Sequence, residues 1–172
     1  MKRGIVIAFA ILIIAAASSF ILFEFHKKRQ SYARYKTIPV FVFETLYNQE
    51  QSTSNLPKYD GYIIQIFSPG CEACQMEATD YSKNIDSMQN ILFLMLSSDT
   101  ISKIKDFALK QQLYGVDNFL FGHVDTKEFE THFGTVPIPS LFIYDSEWKF
   151  IDKIRVGNSA IIMNHFKNKI AK

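Results

Sequence analysis

Short and nearly continuous apolar runs recur along the chain, separated by polar segments rich in turn-forming residues. The clearest runs, each of five or six residues, are 62–67, 91–96, 119–124 and 140–144. Apolar runs of this length, bounded by Gly, Pro or Asp, are typical of strands that are buried on both faces of a sheet. A less regular run at 149–156 follows the polar residues 145–147, and the pair predicts an antiparallel hairpin.

Between these runs, apolar or small residues recur every three or four positions, which is the spacing of one face of a helix. One such series comprises Cys74, Ala78, Tyr81, Ile85 and Met88. Further helices are predicted at 102–113, at 126–133 and from Ser159 onwards. The alternation predicts an α/β domain in which helices flank both faces of a central mixed sheet, parallel at first and closed by the hairpin.

Residues 38–43 form an additional apolar run ahead of this pattern. They are followed by the polar stretch 48–55, which suits a turn. We therefore predict an N-terminal hairpin extension that leads into the domain.

A single long apolar segment precedes the domain. Residues 4–23 are 20 consecutive residues without a charge, enough for a helix to span the roughly 30 Å hydrocarbon core of a bilayer. The prediction is a basic N-terminus at 1–3, an uncleaved transmembrane signal anchor at 4–23, a basic polar neck at 24–37 and the folded domain at 38–172. A cleaved signal peptide is the alternative, because small residues at 15–19 resemble a cleavage site.

Charge is distributed unevenly along the chain. The net charge of +2 combines seven basic and one acidic side chain in residues 1–36 with 12 basic and 16 acidic side chains in the remaining 136 residues. The domain is therefore mildly acidic, and it lacks the basic surface on which nucleic-acid binding depends. The five basic residues after the apolar segment outnumber the two before it, which by the positive-inside tendency favours a cytosolic domain.

The chain has two cysteines, in the sequence Cys71-Glu72-Ala73-Cys74. They fall where a predicted buried strand meets the following helix, so the unpaired N–H groups of the helix N-terminus can stabilise a thiolate at Cys71. Three residues later, Cys74 lies one turn along on the same side. This spacing supplies a nucleophile at Cys71 and a resolving thiol at Cys74 for disulfide exchange.

Two other interpretations of the cysteine pair are weaker. A zinc site needs about four ligands, and His123, His132 and His165 show no short ligand spacing. Inert packing would not require a pair of cysteines at a strand–helix junction. No metal site is predicted.

The segment from Ile66 to Glu77, together with Val136 to Phe142, resembles the thioredoxin-like superfamily, and more closely its TlpA/ResA-like membrane-anchored thiol–disulfide oxidoreductases of bacterial envelopes. The matching motifs are the CxxC pair with Glu77 three residues beyond it, and Ile138-Pro139-Ser140 ahead of a strand. The chain departs from plain thioredoxins in having Gly70 where Trp is usual and Gln65 in place of a buried acid.

This resemblance implies a thioredoxin fold over residues 38–172, with Cys71 and Cys74 as a redox-active disulfide that needs no other cofactor. It implies that Pro139 is cis and faces the cysteines, so that the backbone at Ile138 and Pro139 holds a substrate segment. Glu77 would assist proton transfer at Cys74, with a solvated helix carboxylate as the alternative. Glu72 either complements the helix dipole or, as a neighbouring negative charge, opposes thiolate formation at Cys71 and favours the reducing direction.

The resulting prediction is a single-pass protein of the bacterial inner membrane whose domain faces the periplasm or the outside, because tethered thiol reductases are useful where disulfides form. Its partners would be a disulfide-containing envelope protein as substrate and a membrane dithiol as electron donor. The alternatives are a metallochaperone-like module that binds copper through its cysteines, and a docking domain in which the pair is vestigial.

Overall fold

A computed structural model of the chain describes residues 12–23 and 35–170. The chain divides into two units, residues 1–36 and 37–172. In the first unit, residues 12–23 are helical, and large apolar side chains such as Leu12 and Phe20 are exposed. Across the described ranges, no helix is both long enough and apolar enough to cross a membrane. The predicted basic N-terminus at 1–3, and much of the predicted anchor and neck, lie outside the described residues.

The second unit is built on a seven-stranded mixed sheet in the order β2-β1-β5-β4-β3-β6-β7. Its strands are β1 (Val42–Thr45), β2 (Glu50–Ser52), β3 (Gly61–Ile66), β4 (Ile91–Ser97), β5 (Phe119–His123), β6 (Ser140–Asp145) and β7 (Phe150–Ile154). Strands β3, β4 and β5 are parallel, β6 is antiparallel to β3, and β7 is antiparallel to β6. The predicted mixed sheet and its closing hairpin are confirmed.

The helices are α1 (Glu72–Lys83), α2 (Ile101–Lys110), α3 (Thr126–Phe133) and α4 (Ser159–Ile170). The apolar series from Cys74 to Met88, predicted as one helix, is divided between a helix and a 3-10 turn. Helix α1 ends at Lys83, where the Asn84 N–H donates to the carbonyls of Asp80 and Tyr81, and a 3-10 turn follows at Ile85–Met88.

The N-terminal hairpin extension is present, but its strands differ from the prediction. Strand β1 begins at Val42 rather than at residue 38, and β2 lies inside the polar stretch predicted as a turn. The reason is that β2 is an edge strand paired only with β1, so it needs no apolar face to be stable.

Helices cover both faces of the sheet. On one face, α1, α2 and α4 bury side chains such as Ala78, Phe107 and Ile162 in one cluster with the sheet residue Leu141. On the opposite face, Phe133 of α3 packs against the next residue of β6, Phe142, with ring centroids 4.7 Å apart. Strands β3 and β4 are buried along their whole length. The carboxyl end of β3 is therefore held rigidly where the chain turns into α1.

Candidate active site

Cys71 is the N-cap residue of α1. Its backbone is extended, and its Sγ accepts a hydrogen bond from the Cys74 N–H at 3.3 Å. The loop between β3 and α1 is tightened by a bond from the Cys71 N–H to the Ser68 carbonyl at 3.0 Å. This geometry places the sulfur against unpaired N–H groups of the first helical turn, which stabilise a negative charge.

The two thiols differ in access. Both are free, but Cys71 is partly exposed whereas Cys74 is completely buried. An incoming disulfide can therefore reach the sulfur of Cys71 and not that of Cys74. This is the division of roles that the spacing predicts, although the roles themselves stay predictions.

Cys74 is held in its protonated form. Burial raises the pKa of the Cys74 thiol well above its usual range, and the hydrogen bond to the Cys71 side chain and the charge of Glu77 raise it further. A backbone hydrogen bond from Ser68 acts in the opposite direction without cancelling these effects. For Cys74 to attack a mixed disulfide, a base must therefore remove its proton.

Glu77 lies one turn beyond Cys74 on the buried face of α1 and is only 4% exposed. Its Oε2 accepts from Gln65 Nε2 at 2.7 Å, and its Oε1 accepts from the Gly157 N–H at 2.6 Å. Burial raises the pKa of Glu77 to about 7, against the lowering effect of these two hydrogen bonds. The alternative of a solvated helix carboxylate is wrong, because the side chain is buried and the carboxyl group is poised to exchange protons near neutrality.

The Ile138–Pro139 peptide bond is cis, as the resemblance implies. Ser140, the first residue of β6, pairs with Ile66, the last residue of β3. The Ile138–Pro139 segment therefore lies at the same end of the sheet as the loop that carries Cys71. Pro139 is buried and Ile138 is 49% exposed, which leaves an accessible apolar residue there.

Glu72 is exposed in the first turn of α1. This position suits a carboxylate that complements the helix dipole. Its effect on thiolate formation at Cys71 stays a prediction.

Three functional contacts were not predicted from the sequence. Gln65, noted only as a departure from the thioredoxin pattern, binds Glu77. The backbone of Gly157 donates to Glu77 and accepts from the Tyr81 hydroxyl at 3.1 Å. Nothing in the sequence marks Gly157, because its part in the site is played by its main chain. An added Cβ there would lie 2.8 Å from Ile154 Cδ1, so the end of that side chain would have to shift to admit a larger residue.

The loop before Cys71 is braced on both sides. The Ser68 hydroxyl donates to Asp99 Oδ2 at 2.9 Å, and Gln75 Nε2 donates to the Pro69 carbonyl at 2.8 Å. Beside this loop, a Cβ on Gly70 would meet no atom within 4 Å. A hollow of about 320 Å³ lies here between the loop and α2. Gly70 therefore leaves open space next to Cys71.

Within the described part of the chain, no group of three or more His, Cys, Asp or Glu side chains is arranged to hold a metal ion. His123 and His132, considered as ligands from the sequence, instead contact carboxylates. His123 Nε2 lies 3.6 Å from Asp125, and His132 Nε2 lies 2.9 Å from Glu128.

Comparisons with known proteins agree with this geometry. The sequence profile described as the AhpC/TSA family matches residues 36–153. A comparison with curated protein sequences gives no significant match.

Several solved structures share the fold. A thiol:disulfide interchange protein of the thioredoxin family from Chlorobium tepidum TLS has a TM-score of 0.64 and 19% identity, over 77% of this chain and 94% of that one. A secreted disulfide oxidoreductase from Mycobacterium tuberculosis, homologous to Escherichia coli DsbE, has a TM-score of 0.59 and 15% identity, over 81% and 97%. A thioredoxin-like protein from Aeropyrum pernix has a TM-score of 0.62 and 14% identity, over 89% and 99%. At these identities the similarity establishes a thioredoxin-like fold.

Proposed function

Because the chain belongs to the AhpC/TSA family, whose thioredoxin-like fold here carries a cysteine pair, we propose that it is a thiol–disulfide oxidoreductase that reduces disulfides in partner proteins. One observation carries the proposal. A partly exposed Cys71 caps α1, and a buried, protonated Cys74 lies behind it with the buried Glu77 one turn away. This arrangement supplies an accessible nucleophile and, buried behind the surface, a resolving thiol and a base.

The reaction follows from these positions. The Cys71 thiolate attacks one sulfur of the partner's disulfide, which breaks that bond and releases the other partner cysteine as a thiolate. Cys74 then gives its proton to Glu77 and attacks Cys71 Sγ, which releases the reduced partner. The pair is left as a Cys71–Cys74 disulfide, oxidised by two electrons. An external dithiol resets the pair, and Glu77 returns the proton to Cys74.

The reducing direction is supported by the surroundings of the pair. A strongly oxidising pair is one whose reduced form is stabilised, as when its thiolate is held by charge. Here Cys74 is kept as a neutral thiol by burial, and the charged residue that follows Cys71 is the acidic Glu72. The Ile138–Pro139 segment, at the same end of the sheet, would hold the partner's backbone beside Cys71.

We further propose that the domain is tethered to the bacterial inner membrane and faces the periplasm or the outside. The uncharged residues 4–23 and the basic residues on either side of them support an anchor. In residues 12–23 the apolar side chains of a helix are exposed. The substrate would be a disulfide-containing envelope protein, and a membrane dithiol would donate the electrons.

Trapping of partner proteins tests this function. We expect Cys74→Ser to accumulate mixed disulfides between Cys71 and its partners, which a non-reducing gel shows and a reductant removes, because the resolving step is lost. Cys71→Ser is the control and should trap nothing. A Cys74→Ser protein that also traps nothing would contradict the proposal.

The direction of electron flow is tested by measuring the reduction potential of the Cys71–Cys74 pair. Equilibration of the cysteine pair with glutathione buffers should give a value nearer to that of thioredoxin, about −270 mV, than to that of DsbA, about −120 mV. A value close to that of DsbA would show that the protein oxidises its partners instead.

A further inference from the structure

Gln65 lies near the carboxyl end of β3, and only one of its two side-chain polar atoms makes a hydrogen bond to a described residue. It is fully buried on β3, and its Nε2 donates to Glu77 Oε2 at 2.7 Å. Its Oε1 is also buried and has no hydrogen-bond partner among the residues that the structure describes. An unpaired buried carbonyl oxygen is destabilising, so its presence beside a titratable carboxyl group needs an explanation.

The two sheet residues beside Gln65 offer no side-chain donor for this oxygen. On the same face of the sheet its direct neighbours are Met95 of β4 and Leu141 of β6, both apolar and completely buried. Within the described part of the chain, the hydrogen bond of this amide is the one to Glu77.

The hydrogen bonds of Glu77 decide where its proton must lie. Oε1 accepts a hydrogen bond from the Gly157 N–H, which can only donate. A proton on Oε1 would point toward this N–H group and weaken the hydrogen bond. A proton taken up by Glu77 therefore lies on Oε2, the oxygen that faces Gln65. The titratable groups that face Glu77 are Cys74 and Tyr81 on its own helix, with Asp80 next to Tyr81.

We infer that Gln65 is a positioning residue that holds Glu77 in both of its protonation states by rotating its amide group. When Glu77 is a carboxylate, the Gln65 NH₂ group donates to Oε2, as observed. When Oε2 carries a proton, the amide turns by about 180° so that its unpaired oxygen accepts from the new O–H group. A buried acid at position 65, as thioredoxins often have, would itself titrate, whereas glutamine serves both states without a charge.

This inference rests on the proposed function, in which Glu77 accepts the proton of Cys74 in one half-reaction and returns it in the other. It adds that Gln65 keeps the carboxyl group aimed in both half-reactions. If Gln65 oriented only the carboxylate form of Glu77, its loss would slow the half-reaction in which Cys74 is deprotonated. The half-reaction in which Cys74 is reprotonated would keep its rate.

The test measures the two half-reactions separately in the full chain, purified in detergent. In the first, the reduced protein meets a disulfide-bonded peptide; in the second, the oxidised protein meets dithiothreitol. In both, the redox state of the pair is followed by acid quenching and alkylation. We expect Gln65→Met to slow both half-reactions about tenfold, less than the roughly 10²–10⁴-fold that loss of the acid–base group itself would cost, because Gln65 only positions that group. Slowing of the first alone, or of neither, would overturn the inference.

Two further variants separate this inference from its premises. Asn118→Leu removes another buried amide, which donates to Met88 and Ile91 at the opposite end of the sheet, and both half-reactions should keep their rates. If Glu77→Gln changes neither half-reaction while Cys74→Ser still traps partners, the inference fails and the proposed oxidoreductase stands. If Cys74→Ser traps nothing, the proposed function itself fails.

A measurement on the unmodified protein covers the case in which Gln65→Met does not fold. The side-chain amide signals of Gln65, observed by NMR with ¹⁵N labelling, should shift as Glu77 titrates near pH 7 and show the contacts of a rotated amide below that pH. In Glu77→Gln this titration should disappear. An amide that keeps one orientation from pH 5 to pH 9 would overturn the inference.

Discussion

At the scale of single residues, the environment of Glu77 sets its chemistry. Glu72 lies exposed in the first turn of α1. Five positions later on the same helix, burial raises the pKa of Glu77 to about 7. A group with this pKa can take the proton of Cys74 and return it within one catalytic cycle at neutral pH.

The raised pKa of Glu77 predicts a pH dependence of stability. Between pH about 4.5 and about 7 the folded chain keeps a proton on Glu77 that the unfolded chain releases. Stability therefore falls as the pH rises through this range, by on the order of 3 kcal/mol in all. Glu77→Gln removes this penalty, so above pH 7 it should unfold at higher urea concentration than the parent chain, with the difference vanishing below about pH 4.5.

The matched control is Glu72→Gln, an exposed position on the same helix. It should lower the free energy of unfolding by about 0.3–1 kcal/mol, and the loss should be the same at pH 4.5 and at pH 7. Urea denaturation of the reduced chains between pH 4 and pH 8 makes the comparison. If Glu77→Gln were less stable than the parent chain at pH 8, the ionised form of Glu77 would stabilise the fold. The raised pKa of Glu77 would then be wrong.

At the scale of elements, one side of α1 holds the segment between β7 and α4. Glu77, Asp80 and Tyr81 are spaced three and four apart and so share a helix face. Glu77 and Tyr81 bind the backbone of Gly157, and Asp80 Oδ2 accepts from the Ser159 N–H at 2.6 Å, where α4 begins. Three side chains of the helix that carries the cysteines thereby hold the start of α4 and the residue two positions before it.

Removing one of these contacts should disturb the site as well as the fold. Tyr81→Phe leaves the buried Gly157 carbonyl without its hydroxyl donor, which should cost about 1–3 kcal/mol of stability. Because the N–H of the same residue holds Glu77, the pH midpoint of the Cys74 exchange reaction should also move. Denaturation and the pH profile of disulfide exchange measure the two effects.

Tyr62→Phe provides the comparison. The Tyr62 hydroxyl is also buried and donates to a backbone carbonyl, that of Pro57 at 3.1 Å, but Tyr62 lies at the start of β3, away from the cysteines. It should lower stability and leave the pH midpoint unchanged. Equal midpoints for both variants would show that Tyr81 is only a packing residue.

At the scale of the whole molecule, the chain joins two unlike parts. A basic, apolar N-terminal segment precedes an acidic domain that carries the chemistry. The proposed envelope location rests on this division together with the proposed redox function. The basic neck favours the opposite orientation by the positive-inside tendency.

Labelling in intact bacterial cells tests the location. Cys71 is partly exposed and Cys74 is buried, and the chain has only these two cysteines. After prior reduction, a membrane-impermeant thiol reagent should label the chain at Cys71 without lysis, and Cys71→Ser should stay unlabelled. Labelling that occurs only after lysis would place the domain in the cytosol.

Several features of the fold and the site follow from local patterns of the sequence. The apolar runs predict β3 to β6 because a strand buried on both faces must be apolar throughout. The edge strand β2 escaped this reasoning because polar residues suffice where one side of a strand has no neighbour. The end of α1 at Lys83 was also missed, since the apolar spacing continues through the 3-10 turn.

The sequence by itself determined the α/β order, the uncharged N-terminal segment and the placement of Cys71 at a helix start, because each depends on residues adjacent in the chain. Tertiary structure decided that Cys74 is a neutral thiol, that Glu77 is buried with a pKa of about 7, and that Gln65 and Gly157 hold it. The Glu77–Gly157 bond joins residues 80 positions apart. Burial and long-range backbone contacts of this kind leave no periodic trace in a sequence, and they set the proton affinities that disulfide exchange uses.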